Sequence, residues 1–228
     1  MQQRPLEELE NKIGYQFKDK LLLRQALTHS SFANEQKINK QEDYERLEFL
    51  GDAVLELVSS EFLFQENRQM AEGQLTRTRA SIVCEQALAY CAREFGLEAY
   101  ILLGKGEERT GGRTKDSIIS DVMEAIIGAI YIDSGMPHAS DFIHRFILSD
   151  LEHKKLFYDA KTILQEFVQQ KNTGMLHYQL VREDGPDHDK LFVVEAKIDD
   201  KKIGEGMGKT KKAAEQQAAY EALVSLRR

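Results

Sequence analysis

A change in hydrophobic period near residue 158 constrains this chain more than any other feature. Through residue 151 apolar side chains recur at helical spacing: Leu6 to Leu9, Lys20 to Leu27, Glu45 to Phe64, Leu75 to Phe95, Asp116 to Ile132 and Ala139 to Leu151. No convincing alternating strand falls between them. Breaks are expected at Gly14, from Ser30 to Asn39, at Gly96, in GKGEERTGGRTK and in SGMP. Beyond the charged stretch HKKLFYDAK the pattern predicts a helix over Ala160 to Lys171. Strands follow over Leu176 to Arg182, Leu191 to Ile198 and Lys202 to Met207, and a last helix over Thr210 to Leu226. Phe192, Val194, Ala196 and Ile198 alternate against Leu191, Val193, Glu195 and Lys197, and Asp199-Asp200-Lys201 makes the tight turn. The expected architecture is an all-α domain over residues 1–151, a linker over 152–158, and a small α-β-β-β-α domain over 159–228.

With 228 residues, 42% of them hydrophobic, each segment can bury a core of its own. No run of 18 apolar residues occurs, and MQQRPLEELENKIGYQF has neither an apolar signal region nor a cleavage site. The expectation is a cytoplasmic protein with no membrane partner. Cys84 and Cys91, seven apart on one expected helix, read as small buried thiols, since neither has the partners of a zinc motif. The net charge of −7 is unevenly spread: residues 155–228 hold 13 Lys and Arg against 12 Asp and Glu, a net +1, so the first 154 residues carry −8. Six lysines and three acids fall between Lys197 and Lys212. An acidic body with a local basic cluster is compatible with metal chemistry in one part and polyanion binding in the other.

The acids are organised. On a helix, ERLEFLGDAVLEL places Leu47, Leu50, Val54, Leu57 and Val58 on one side and Glu45, Glu48, Asp52 and Glu56 on the other. Four carboxylates on one face, with no Lys or Arg at i+4, repel one another. They form either an acidic solvated face or half of a metal site. The other half is expected in DSIISDVMEAIIGAIYID, where Asp121 and Glu124 are i, i+3 neighbours in a run of Ile, Val, Met and Ala. Burying an isolated carboxylate costs several kcal/mol, and a shared cation compensates both pairs. None of the six histidines sits i+3 to Glu48 or Glu124, so the Glu-x-x-His pattern of di-iron bundles, and with it a ferritin-like oxidase, is disfavoured. Oxygen-only ligands suit Mg²⁺, with Mn²⁺ able to substitute, and Mg²⁺ on carboxylates implies phosphoryl transfer by an activated water.

ERLEFLGDAVLEL resembles the signature of bacterial ribonuclease III. THSSFANE precedes it, AEGQLTRTRA and GGRTKDSIISDVMEAIIGAIYID follow, and the C-terminal part is similar to a double-stranded-RNA-binding domain. The resemblance covers essentially the whole chain. It implies an all-α endonuclease domain, and a Mg²⁺-dependent homodimer that cuts double-stranded RNA, leaving 5′-phosphate and 3′-hydroxyl ends with short 3′ overhangs. Ribosomal and other structured precursors are the substrates it implies. By position, its metal-binding and catalytic acids fall on Glu48, Asp52, Asp121 and Glu124, and its supporting acids on Glu45 and Glu72. A glutamate at Glu72 could equally favour a helix dipole. The family's partner-plugging aromatic falls on Phe49, whose alternative is a place in its own domain's core.

In GMGKTKKAAEQQAA, Lys209, Thr210, Lys211 and Lys212 open a helix whose free N–H groups already favour phosphate. The resemblance implies further RNA contacts from Thr162, Gln165 and Glu166 of AKTILQEF and from Pro186 and His188 of GPDHDK, reading A-form shape through the minor groove. Crowding by Asp184, Asp187 and Asp189 points to modest affinity. His29-Ser30-Ser31 reads as a capped turn and not a nucleophile. GKGEERTGGRTK lacks the order of a phosphate loop and reads as a mobile loop, its Arg109, Arg113 and Lys115 either touching RNA or solvated. The competing reading is a module that binds RNA without cutting it.

Overall fold

The computed structural model describes residues 5–35, 42–151, 160–171, 173–185, 190–208 and 210–226. Contacts divide the chain into two compact units, Met1–Ser149 and Asp150–Arg228.

The first unit is built around one helix. Its helices are α1 (Leu6–Ile13), α2 (Lys20–Ala26), α3 (Ser30–Glu35), α4 (Glu45–Glu66), α5 (Glu72–Ile82), α6 (Glu85–Glu94), α7 (Lys105–Arg109), α8 (Asp116–Ser134) and α9 (Met136–Ile143). Ile119, Val122, Met123, Ile126, Ile127 and Ile130 of α8 are fully buried, so apolar residues surround the helix and it becomes the centre of the bundle. Each such side chain contributes about 1.5–3 kcal/mol by leaving water. α4, α6, α9 and α2 pack around it.

Between α4 and α8 the backbones touch. A Cβ on Gly51 would meet the Glu124 carbonyl oxygen at 1.8 Å, and one on Gly128 would meet that of Leu47 at 2.2 Å. The buried face of α4 is therefore Leu47, Gly51, Val54, Leu55, Val58, Ser59 and Leu63. Leu57, expected on that face, is instead 57% exposed, because the glycine contact sets the rotation of the helix.

Three other expectations are revised. The stretch Leu75 to Phe95 is two helices, parted at Val83 and Cys84; Cys91 is buried, while Cys84 is half-buried at the N-cap of α6 with its thiol 3.4 Å from the Ser81 carbonyl. The Ser30 to Asn39 break contains α3, opened by Phe32 and Ala33 N–H donating to the His29 carbonyl. GKGEERTGGRTK folds into α7 and a 3₁₀ turn, Gly112–Thr114, tied by Arg113. That guanidinium donates to the carbonyls of Glu98 and Ile101 at 2.6 and 2.9 Å and pairs with Glu108.

The second unit contains α10 (Ala160–Lys171), β1 (Leu176–Asp184), β2 (Leu191–Ile198), β3 (Lys201–Gly208) and α11 (Lys211–Leu226), with β1-β2-β3 antiparallel. The tight turn holds Asp199 at φ 51°. Ala160, Leu164 and Val168 of α10 pack with Val194 and Ala196 of β2 and with Ala214, Ala218, Ala222 and Leu223 of α11. α11 lies close on β3 because Gly206 has no side chain: a Cβ there would sit 2.2 Å from the Ala218 nitrogen. Strict alternation fails at Val193, which is only 6% exposed on the outer face, where Arg182 and Met207 flank it across the ladders. The all-α unit followed by α-β-β-β-α is the fold class expected from the sequence.

Candidate functional site

The helix contact determines where the acids go. Gly51 lies between Glu48 and Asp52 on α4, and Gly128 lies one turn beyond Glu124 on α8, so packing glycine against backbone sets the two pairs of carboxylates against each other. Their mutual effect is electrostatic. Glu124, half-buried, is pushed up to about 8 by burial first and then by Asp52, Asp121 and Glu48. Glu48 is raised by burial, Asp121, Glu45 and Asp52, and Asp121 by burial and Glu85 against the lowering effect of a Tyr44 hydrogen bond. Among the described residues none of the four stands in an ion pair.

Excess negative charge carried by oxygen donors alone is the environment a hard divalent cation compensates. Among the described residues no three acidic, histidine or cysteine side chains lie close enough together, as placed, to hold a metal ion. The donor chemistry of Glu48, Asp52, Asp121 and Glu124, oxygen alone and in negative excess, fits such a cation.

Three neighbours of the site carry no signal in the sequence. The Tyr44 hydroxyl donates to Asp121 Oδ2 at 3.2 Å, and burial, Asp121 and the nearby glutamates push its own titration far above the ordinary value. His29 packs its ring 5.7 Å from that of Tyr44, and Glu85, at the start of α6, adds a further negative charge beside Asp121. Tyr44 and Asp121 are 77 residues apart, so no spacing rule connects them.

Of the other expected residues, exposed Glu45 acts on Glu48 and belongs to the edge of the cluster. Glu72 acts on none of the shifted carboxylates. It accepts from the Thr76 hydroxyl at 3.0 Å in the first turn of α5 and lines a groove of about 390 Å³ with Leu57, Phe64, Leu75 and Arg79. Glu56 pairs with Arg79 at 3.8 Å, and Lys115 with Glu107 at 2.6 Å. Phe49 is 81% exposed, so it is not part of its own domain's core.

In the second unit, Thr162, Gln165 and Glu166 lie exposed on α10 at one-turn spacing. Thr210 caps α11, its hydroxyl accepting from Ala213 N–H at 3.1 Å, and Lys211 and Lys212 stand exposed in the first turn. Lys211 also reaches over the Phe192 ring at 5.8 Å. Pro186, His188 and Lys209 lie outside the described residues. Lys197 and Lys202 are engaged by Glu195 at 3.1 and 2.9 Å, which removes both from the basic cluster.

A family described as Ribonuclease-III-like matches residues 19–151, and one described as a double-stranded RNA binding motif matches residues 160–226. The chain is 49% identical over 221 residues to ribonuclease 3 of Caldanaerobacter subterraneus subsp. tengcongensis, covering 96% of each chain. It is 47% identical over 218 residues to ribonuclease 3 of Staphylococcus aureus, covering 95% of this chain and 90% of that one. Among solved structures, the ribonuclease III nuclease domain of Campylobacter jejuni, described as flexible in a region involved in dimer formation, superposes with a TM-score of 0.59 at 46% identity. That match covers 63% of this chain and 96% of the other.

Proposed function

The chain belongs to the ribonuclease III family, and from that premise we propose that it is a Mg²⁺-dependent endoribonuclease of double-stranded RNA. The observation that carries this reading is the confrontation of Glu48 and Asp52 with Asp121 and Glu124 across the Gly51–Gly128 contact, with Glu124 raised first by burial and then by the other three. Mg²⁺, for which Mn²⁺ can substitute, supplies Lewis acidity toward the phosphate and an activated water. Glu48, Asp52, Asp121 and Glu124 would hold the cation, and their charge would make that binding favourable. Burial of Glu124 and Asp121 limits their motion and strengthens their interaction with a cation. No side chain serves as the covalent nucleophile. Hydrolysis leaves 5′-phosphate and 3′-hydroxyl ends, with short 3′ overhangs where two cuts fall on opposite strands.

Thr162, Gln165, Glu166, Pro186, His188, Lys209, Thr210, Lys211 and Lys212 make up the proposed RNA-contacting set. Exposure of the described members supports it, as does the N-terminus of α11 as a phosphate seat. Two antiparallel strands call for two sites, hence a homodimer in which exposed Phe49 enters the partner. Structured precursors, ribosomal ones among them, are the proposed substrates. Glu124→Gln tests the assignment on a long perfect RNA duplex with and without Mg²⁺. The parent should cut only with Mg²⁺, the variant should be slower by at least about 100-fold, and both should retard the duplex in native gels. Cutting by the variant at the parent's rate would remove Glu124 from the site; retardation without cutting by the parent would make the protein a binding module.

A further inference from the structure

We propose that Tyr44 is a positioning residue for the metal centre: its buried hydroxyl holds Asp121 Oδ2 and so presents the other carboxylate oxygen to the cation. The inference rests on the reading of Asp121 as a metal ligand. Tyr44 is only 4% exposed and sits where both halves of the site meet. Its carbonyl accepts from Leu47 and Glu48 N–H, starting α4 and setting the position of Glu48, while its hydroxyl crosses to Asp121 of α8. One residue thereby ties the start of α4 to a carboxylate of the facing helix.

The tyrosine is itself held from behind. Its N–H donates to the Thr28 carbonyl at 2.9 Å, and its ring meets the His29 ring edge-on at an interplanar angle of 62°. His29 Nδ1 accepts from the Ser31 N–H at 3.0 Å and lies 2.7 Å from Ser31 Oγ, which accepts from Gly104 N–H at 2.9 Å. Because the Ser31 N–H donates to Nδ1, that nitrogen carries the lone pair, and the proton of the neutral imidazole resides on Nε2. The ring that packs on Tyr44 is accordingly fixed in orientation.

A neutral donor has a specific use here. A Lys or Arg on Asp121 would orient the carboxylate but also neutralise it, competing with the cation for the same charge. The phenol orients it and leaves its charge available. Without the phenol, Asp121 would keep only its Ser120 hydrogen bond and the attraction of His29 against Glu48, Glu85 and Glu124, each repelling it, and the cation would have to complete its ordering on binding. Hydrogen-bonding partners of metal ligands typically contribute about 10–100-fold in metal affinity.

The test compares the full-length parent, Tyr44→Phe and Asp121→Asn. Mn²⁺ binding is titrated calorimetrically without RNA, cleavage of a perfect duplex is followed against Mg²⁺ concentration, and melting in EDTA confirms that each variant folds. Tyr44→Phe is expected to weaken Mn²⁺ binding by about 10–100-fold and to raise the half-saturating Mg²⁺ by a similar factor, with the cleavage rate recovering at saturating metal. Asp121→Asn is expected to lose binding outright. Parent-like Mn²⁺ affinity in Tyr44→Phe, with binding lost in Asp121→Asn, would overturn the role of Tyr44 and leave the metal centre intact; parent-like affinity in Asp121→Asn would overturn the metal centre itself. A measurement on the parent fold covers the case of a misfolded Tyr44 variant. With ¹³Cζ-labelled tyrosine, saturating Mg²⁺ should shift one ring resonance in the parent and none in Asp121→Asn, and a parent spectrum without a shift overturns the proposal.

Discussion

At the residue scale the site is a balance between burial and charge. Glu124 has an ordinary value of 4.5 and is pushed up to about 8 in the cation-free fold, where burial and then Asp52, Asp121 and Glu48 disfavour its charged form. A carboxyl raised in the fold stabilises it fully below about pH 4.5, and that contribution is lost as pH rises through about 8. In EDTA the melting midpoint should therefore fall by several degrees between pH 5 and 8, since about 1 kcal/mol moves it by about 2–4 °C in a domain of this size. Glu124→Gln should flatten that slope, and Mg²⁺ should restore stability to the parent at pH 8. Identical slopes for parent and variant would show that Glu124 is not the titrating group. The four proposed ligands were legible as candidates because Glu48 and Asp52 share an acidic helix face and Asp121 and Glu124, two carboxylates in an apolar helix, demand compensation. Tyr44, His29 and Glu85 were not, because they reach Asp121 through packing of segments far apart in sequence.

At the element scale the α4–α8 contact makes the site possible. Gly51→Ala places a methyl 1.8 Å from the Glu124 carbonyl, so the helices must part. The expected cost is at least about 2 kcal/mol, read as a lower melting midpoint, with cleavage impaired even where the variant stays folded. Gly73→Ala is the control, since nothing lies within 4 Å of its added Cβ. Alanine there should leave stability unchanged or raise it by up to about 1 kcal/mol. A Gly51→Ala protein that melts with the parent would contradict the close approach. Periodicity revealed the long helices but joined α5 to α6, because no Gly or Pro marks the break at Val83 and Cys84. It passed over α3 and α7 altogether. Such short helices have little stability of their own and are held by tertiary contacts: the Lys105 N–H donates to Glu35 at 2.7 Å, and Arg113 pairs with Glu108.

At the scale of the whole molecule, two exposed features bear on the proposed partners. A phenylalanine 81% in water on α4 gains by burial in a second copy, so Phe49→Asp should convert a dimer to a monomer by light scattering, and an unchanged mass would remove Phe49 from the interface. Lys211 and Lys212 at the start of α11 should act through phosphate. Changing both to Ala should weaken duplex binding without regard to sequence and reduce the slope of log K against log salt by roughly one to two; an unchanged slope would place them off the RNA. Residue pattern alone determined the division into a helical and a mixed unit and singled out the acids proposed to bind a hard cation, because period and the cost of buried charge are local properties. Tertiary structure decided which way α4 faces, which lysines Glu195 engages, that Arg113 supports the fold, and that a tyrosine holds Asp121. Each of those depends on which atoms from distant segments come within a few ångströms, and spacing along the chain carries no record of that.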